Sequence, residues 1–190
     1  MEFLGKGKRS SVYCGYYKNI KAAIKIPKKG FEYRISNEAK WLEILNRNGI
    51  GPKLLYNNEY LVYEFVEGTK ILDWIKINNK SDIMKALKMV MMQCRKMDIL
   101  KVNKYEMHYP IKHILIGKDV KMIDFERCKK SENPKNVTQF CQFLLSKNMQ
   151  NMLRDKGIII NRERLIKLLK NYKTDYSDKS FNELLDIIKG

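Results

Sequence analysis

The chain has 190 residues, 44% of them hydrophobic and 31% charged, with a formal net charge of +17. That length holds one domain with a real core or two small lobes sharing a site, and the composition excludes a disordered, low-complexity or repeat protein. Lys and Arg outnumber Asp and Glu by 12 to 7 over residues 1–67, 17 to 8 over 68–153 and 9 to 6 over 154–190, a field that attracts nucleic acid, nucleotides or acidic proteins and equally keeps a lysine-rich surface soluble. Four cysteines, at 14, 94, 128 and 141, show no C-x-x-C pairing. Buried thiols in a reducing compartment are therefore expected, not a metal or redox centre. No apolar run reaches the roughly 20 residues a bilayer span needs, and the first residues lack a signal-peptide core, so a cytoplasmic protein without membrane contact is expected.

Taken in chain order, "SVYCGYY" and "IKAAIKI" are β-type runs separated by a turn at Lys18-Asn19, and Pro27 and Gly30 close them. From Ile35 to about Asn48 the period becomes helical, with Ile35, Ala39, Leu42 and Leu45 on one face. "NGIGP" stops that helix, and "KLLYNNEYLVYEFVEG" reads as a hairpin turning at Asn57-Asn58, its second strand reaching Gly68. Helices follow over 69–79 and 82–100, the second with a stripe of Ile83, Leu87, Val90, Cys94 and Met97. "ILIGKDVKMIDF" forms a second hairpin turning at Gly117-Lys118, and helices fill 136–153, 162–172 and 180–189, the last with a capping box at Ser180 and Glu183. The expected class is α+β: a β-rich front with one helix, residues 1–67, and a mostly helical back with one hairpin, residues 68–190.

Several stretches carry chemistry. "LGKGKRSSVYCG" places Gly5, Gly7, Ser10 and Val12 in a G-x-G-x-x-G-x-V frame with serine at the third glycine. Glycines let a hairpin backbone approach phosphates closely, though two glycines near a turn are commonly just a hairpin. It is neither a dinucleotide fingerprint, since a strand follows, nor a Walker A loop, since no GK[ST] follows. Lys25 ends "AAIK" (residues Ala22 to Lys25) in an apolar strand, where an ammonium needs a carboxylate partner. Glu38, Glu43 and Glu32 compete for that place. "KMIDFERC" ends a strand on Asp124, with Glu126 two residues on. An aspartate at a strand end caps a turn or ligates a cation.

As an ordered set, these stretches resemble a minimal protein-kinase fold, of the small lineage that includes the RIO kinases and the kinase of the KEOPS complex. "GIGPKLL", "YEFVEG", "P-x-KH", "IDFE" and "PKNVTQFCQFL" narrow the likeness to predicted archaeal serine/threonine kinases. The resemblance covers about residues 3–145. It implies a bilobal kinase-like fold with ATP and Mg²⁺ bound. Gly5, Gly7 and Ser10 would lie over the phosphates, with Val12 and Ala23 at the adenine. Lys25 would hold the α- and β-phosphates, positioned by Glu38. Tyr63 would be the gatekeeper, with backbone groups from Glu64 to Val66 on the base edge, and Asp124 a metal ligand.

The catalytic loop departs from the kinase pattern. His-Arg-Asp-x-x-x-x-Asn would orient the substrate hydroxyl and hold a metal, whereas "KYEMHYPIKHILI" puts His113 in the asparagine place. Glu106 in one register and His108 in another stand near the base position, and spacing does not choose between them. Mg²⁺ prefers oxygen ligands, so His113 is better suited to a phosphate hydrogen bond. Lys112 is a candidate for neutralising the transferred phosphoryl group. Little chain separates Glu126 from the next helix, so peptide docking is minimal. The substrate would be the protein itself, a partner subunit or a non-peptide. A nucleotide-binding pseudokinase acting as a scaffold in an RNA-linked assembly, an RNA-binding partner using the basic surface and a small-molecule kinase are the competing readings.

Overall fold

The computed structural model describes residues 1–189. The fold is α+β, with a five-stranded antiparallel sheet and seven helices among the described residues. The chain packs as two compact units: residues 1–68 together with 113–129, and residues 69–112 together with 130–190. The hairpin after His113 thus groups with the front of the chain. No described helix is long and apolar enough to cross a membrane.

In the first unit, β1 (Glu2–Lys6), β2 (Ser10–Tyr17), β3 (Ile20–Pro27), β4 (Leu54–Asn57) and β5 (Leu61–Glu64) form a sheet in the order β1-β2-β3-β5-β4. The β2–β3 turn has Lys18 at φ 47° and Asn19 at φ 65°, the paired left-handed conformation whose twist suits a two-residue hairpin. Register aligns Gly5 with Val12, Val12 with Lys25 and Lys25 with Leu61, and separately Ala23 with Tyr63. Helix α1 (Glu32–Asn46) buries Ile35, Glu38, Ala39, Trp41, Leu42 and Leu45 on one stripe, so an acid sits among apolar positions. It begins three residues before the expected start and ends where Gly49, at φ 71°, lets the chain turn back.

β5 ends at Glu64, shorter than expected, and 65–68 have no regular secondary structure. β8 (Ile114–Ile116) and β9 (Val120–Met122) form the second hairpin, pairing Ile114 with Met122 and Ile116 with Val120. Its turn passes under Glu67: a side chain on Gly117 would meet the Glu67 carbonyl oxygen, so only glycine fits there.

In the second unit, β6 (Thr69–Lys70) leads into α2 (Ile71–Ile77), so the expected helix over 69–79 is shorter at both ends. Helix α3 (Lys80–Ile99) starts on Asn79, whose side chain accepts from the Asp82 N–H, and packs against α4 (Asn136–Leu144) and α7 (Asp178–Lys189). β7 (Val102–Asn103) follows it, and β10 (Lys129–Lys130) precedes α4. The single helix expected over 136–153 is two, because Ser146 adopts an extended conformation (ψ 145°) and α5 (Lys147–Asp155) restarts after it. Helix α6 (Arg162–Asp175) is capped by Asn161, which accepts from the Arg164 N–H. The capping box at Ser180 and Glu183 is not formed. Ser177 is the capping residue, its hydroxyl accepting from the Ser180 N–H at 3.1 Å, and Ser180 lies inside α7 with its hydroxyl donating to Asp175 at 2.8 Å.

Candidate functional site

The first unit contains a buried ionic cluster built from three distant segments. Lys25 Nζ, near the end of β3, donates to Glu38 Oε2 at 2.7 Å, Glu126 Oε2 at 3.1 Å and Asp124 Oδ1 at 3.2 Å. An ammonium has three protons, and all three have an acid. Arg9, from the β1–β2 turn, reaches Glu126 Oε1 at 2.9 Å. Oxygen atoms of Glu38, Asp124 and Glu126 all lie within 4.8 Å of one another. Fully ionised, three acids face two cations, so the cluster holds one excess negative charge. The side chains of Lys25 and Glu38 are 6% and 1% exposed, whereas that of Asp124 is 38% exposed and opens the cluster to solvent.

Local structure explains why Asp124 sits there. Phe125 N–H donates to the second oxygen of Glu38 at 3.0 Å. The Phe125 ring packs against Gly51, where an added Cβ would lie 2.9 Å from its Cε2. Asn37 Nδ2 donates to the carbonyls of Glu126 (2.9 Å) and Cys128 (3.2 Å), and Trp41 Nε1 holds the Asn37 oxygen at 3.1 Å. One face of α1 therefore grips the backbone that follows Asp124. Asp124 itself has φ 62°, a left-handed conformation aspartate tolerates better than most residues but which still costs about 1 kcal/mol. Uncommon backbone of this kind, over-determined by its neighbours, concentrates at functional sites.

The electrostatics follow from burial and crowding. Burial alone would pull the Lys25 ammonium down, but the carboxylates of Glu38, Asp124 and Glu126 outweigh it and hold the group well above its ordinary value. At Glu38, burial lifts the carboxyl and Asp124 adds to that, against the pull of Lys25 and the Phe125 N–H. Burial, then the Glu38 charge, push the Tyr63 phenol upward, so it is a neutral hydroxyl beside the cluster.

Of the residues singled out in the sequence, Lys25, Glu38 and Asp124 are brought together, and Glu38 is the lysine's partner among the three glutamates considered. Glu43 instead accepts from Asn57. Ser10 is buried, and Val12 and Ala23 lie on β2 and β3 in register with Lys25 and Tyr63. Gly5 and Gly7 have ordinary φ, and an added Cβ would meet nothing closer than 3.4 Å, so what these glycines provide is open space above the turn. The N–H groups of Glu64 and Phe65 donate to Lys53 and Lys21 carbonyls at 2.8 and 3.0 Å. The His113 carbonyl accepts from the Ile123 N–H. Glu106, His108 and Lys112 belong to the second unit, where Glu106 is half-buried at φ 80° and the side chains of His108 and Lys112 are exposed.

Three participants lie outside the set expected from sequence: Glu126 as a partner of Lys25, Arg9 and Asn37. For Glu126 the signal was present, a second acid two residues after Asp124. For Arg9, which is 117 residues from Glu126, no local pattern could reveal the contact. Comparison with protein-family models and with curated proteins returns no match.

Proposed function

We propose that the chain is an ATP-dependent phosphotransferase of the serine/threonine protein-kinase kind, with a minimal bilobal kinase-like architecture, acting on itself or on a partner protein. The observation that carries this reading is the buried Lys25–Glu38 pair beside a left-handed, partly exposed Asp124. A lysine fixed by an acid on the neighbouring helix is pre-organised to receive phosphate oxygens. Gly5 and Gly7 leave room above the sheet for them, Val12 and Ala23 offer an apolar wall to adenine, and Val66 is the residue of the 64–66 segment whose N–H is not engaged by Lys53 or Lys21. Arg9 ties the glycine turn to Glu126, so binding a triphosphate would exchange two acids on Lys25 for anionic oxygens of the ligand.

The donor set suits a hard divalent cation: carboxylate oxygens within 4.8 Å of one another, with no sulfur or imidazole among them. Both oxygens of Glu38 are engaged, by Lys25 and the Phe125 N–H, and both of Glu126, by Lys25 and Arg9, so the partly exposed Asp124 is the group that would hold Mg²⁺. Bound there, Mg²⁺ would neutralise charge on the β- and γ-phosphates. Lys25 would orient the α- and β-phosphates, Glu38 would keep the ammonium in place, and His113 would donate to phosphate.

The test is titration with a fluorescent ATP analogue with and without Mg²⁺, joined to mass spectrometry of the chain and of added acceptor proteins after incubation with ATP. Mg²⁺-dependent binding that is lost in folded Asp124→Asn, with phosphate incorporated, supports the reading; no nucleotide binding at any Mg²⁺ concentration overturns it. A nucleotide-binding scaffold is the second reading. The triple engagement of Lys25 by acids favours it, and binding without any phosphate transfer would identify it.

A further inference from the structure

The second unit carries a feature that phosphoryl transfer does not use. A cleft of ≈ 660 Å³ lies between α4 and α6, and a second of ≈ 530 Å³ adjoins it beside α5, the two sharing Leu145 and Arg162. The first is ringed by Lys135, Arg162, Lys170 and Lys173 and contains no acid at all. The second adds Lys147 and Arg154 and a single acid, Glu163. All six cations are exposed.

Arg162, Ile166, Lys170 and Lys173 recur at spacings of four and three, so α6 presents them along one face over about 16 Å. Cations so placed repel one another, and no acid within the larger cleft neutralises them; a polyanion would. Neither cleft has an aromatic side chain on its walls, so bases have nothing to stack on and the backbone would be the recognised part.

We propose that the α4–α5–α6 cleft binds the phosphate backbone of a single-stranded nucleic acid, independently of base sequence. Arg162 stands at the junction of the two clefts, so the strand runs from the Lys135–Lys170–Lys173 side past Arg162 toward Lys147 and Arg154. This inference stands apart from the nucleotide site and survives if that reading fails.

The experiment is fluorescence anisotropy of the full chain with a labelled oligouridine, across a salt series. Four phosphate contacts predict a slope of log affinity against log salt of about −3. Reversing four cleft charges (K135E, R162E, K170E, K173E) should lower affinity about tenfold or more. Reversing four exposed cations of the first unit (K29E, K40E, R47E, K53E) changes net charge equally and should cost much less. The milder K170E/K173E pair, on the exposed face of α6, should lose an intermediate amount with an unchanged circular-dichroism melt. Equal losses in the two quadruple variants would overturn the cleft and leave only the overall field. Oligodeoxythymidine should bind about as tightly as oligouridine, because the cations meet only phosphates; poly-glutamate competing as well as either would overturn the assignment to a nucleic-acid backbone.

Discussion

Each unit buries a polar cluster, and the two are built on opposite plans. In the second unit Asp98 accepts from the Asn136 N–H (3.0 Å) and side-chain amide (2.7 Å), the Val137 N–H (3.3 Å) and the Tyr172 hydroxyl (2.9 Å). Asn136 in turn binds the Lys104 N–H and the Val102 carbonyl, and Arg95 ties Tyr172 to Asp178. One carboxylate is thus surrounded by neutral donors on two helices, buried and closed. Burial raises its pKa, and the same hydrogen bonds oppose that rise. In the first unit three acids converge on one ammonium, one acid is partly exposed, and the backbone beneath it is in a costly conformation. A satisfied network specifies a fold; an over-acidic, open one is poised to exchange partners.

Substitutions can break that contrast. Asp98→Ala should be the most damaging, destabilising by about 4 kcal/mol, because Asn136, Val137 and Tyr172 lose an acceptor where water does not replace it; denaturant unfolding would measure it. Lys25→Met should cost somewhat less at neutral pH, about 3 kcal/mol, since Asp124 can still reach solvent. Its loss should shrink on acidification as the three carboxylates protonate. In the unsubstituted protein the raised Lys25 value means that its stabilisation is fully present below the unfolded value of 10.5 and lost as pH climbs through the folded value. The alkaline limb of the stability profile should therefore flatten in Lys25→Met, and an unchanged limb would show that the ammonium is not held by the acids.

Gly51→Ala comes next, at about 2 kcal/mol, because φ is 80° and the new Cβ would press on Phe125 and Leu42. If Phe125 is what fixes Asp124, nucleotide affinity should fall with it. Glu126→Gln should change stability by no more than about 1 kcal/mol, as relief of repulsion among acids offsets the weakened pairs with Arg9 and Lys25. On the phosphotransferase reading it should tighten Mg²⁺-free nucleotide binding severalfold; weaker binding would make Glu126 a positioning group and not a competitor. Smallest is Asp175→Asn. The Ser177 N–H and the Ser180 hydroxyl hold Asp175 below its usual range, so its stabilisation is present above the ordinary carboxylate pKa and lost as pH falls through the depressed value. The effect should appear only as a slightly shallower acid limb.

Much of this was legible in the sequence for a local reason. The β2–β3 turn, α1, α3 and the second hairpin each follow from a repeat of two or 3.6 residues bounded by Gly, Asn or Pro. The failures are local as well. The break at Ser146 interrupts a continuous apolar pattern, and Ser177, not Ser180, caps the last helix because Asp175 holds the Ser180 hydroxyl. Lys25 and Asp124 stood out because charges at the ends of apolar strands are unusual, and Glu38 was one of three candidates.

The sequence by itself determined the α+β class, the strong positive charge and the presence of ionisable groups within apolar runs, since composition and periodicity are properties of neighbouring residues. Tertiary structure alone decided that Glu38 and not Glu43 meets Lys25, that Arg9 reaches Glu126 and that Asn37 steadies the segment around Asp124. It also decided that cations from α4, α5 and α6 line shared clefts. Each of these joins residues far apart in the chain, and such pairings are selected by the free energy of burying and satisfying charges in the folded protein, which no window of sequence contains.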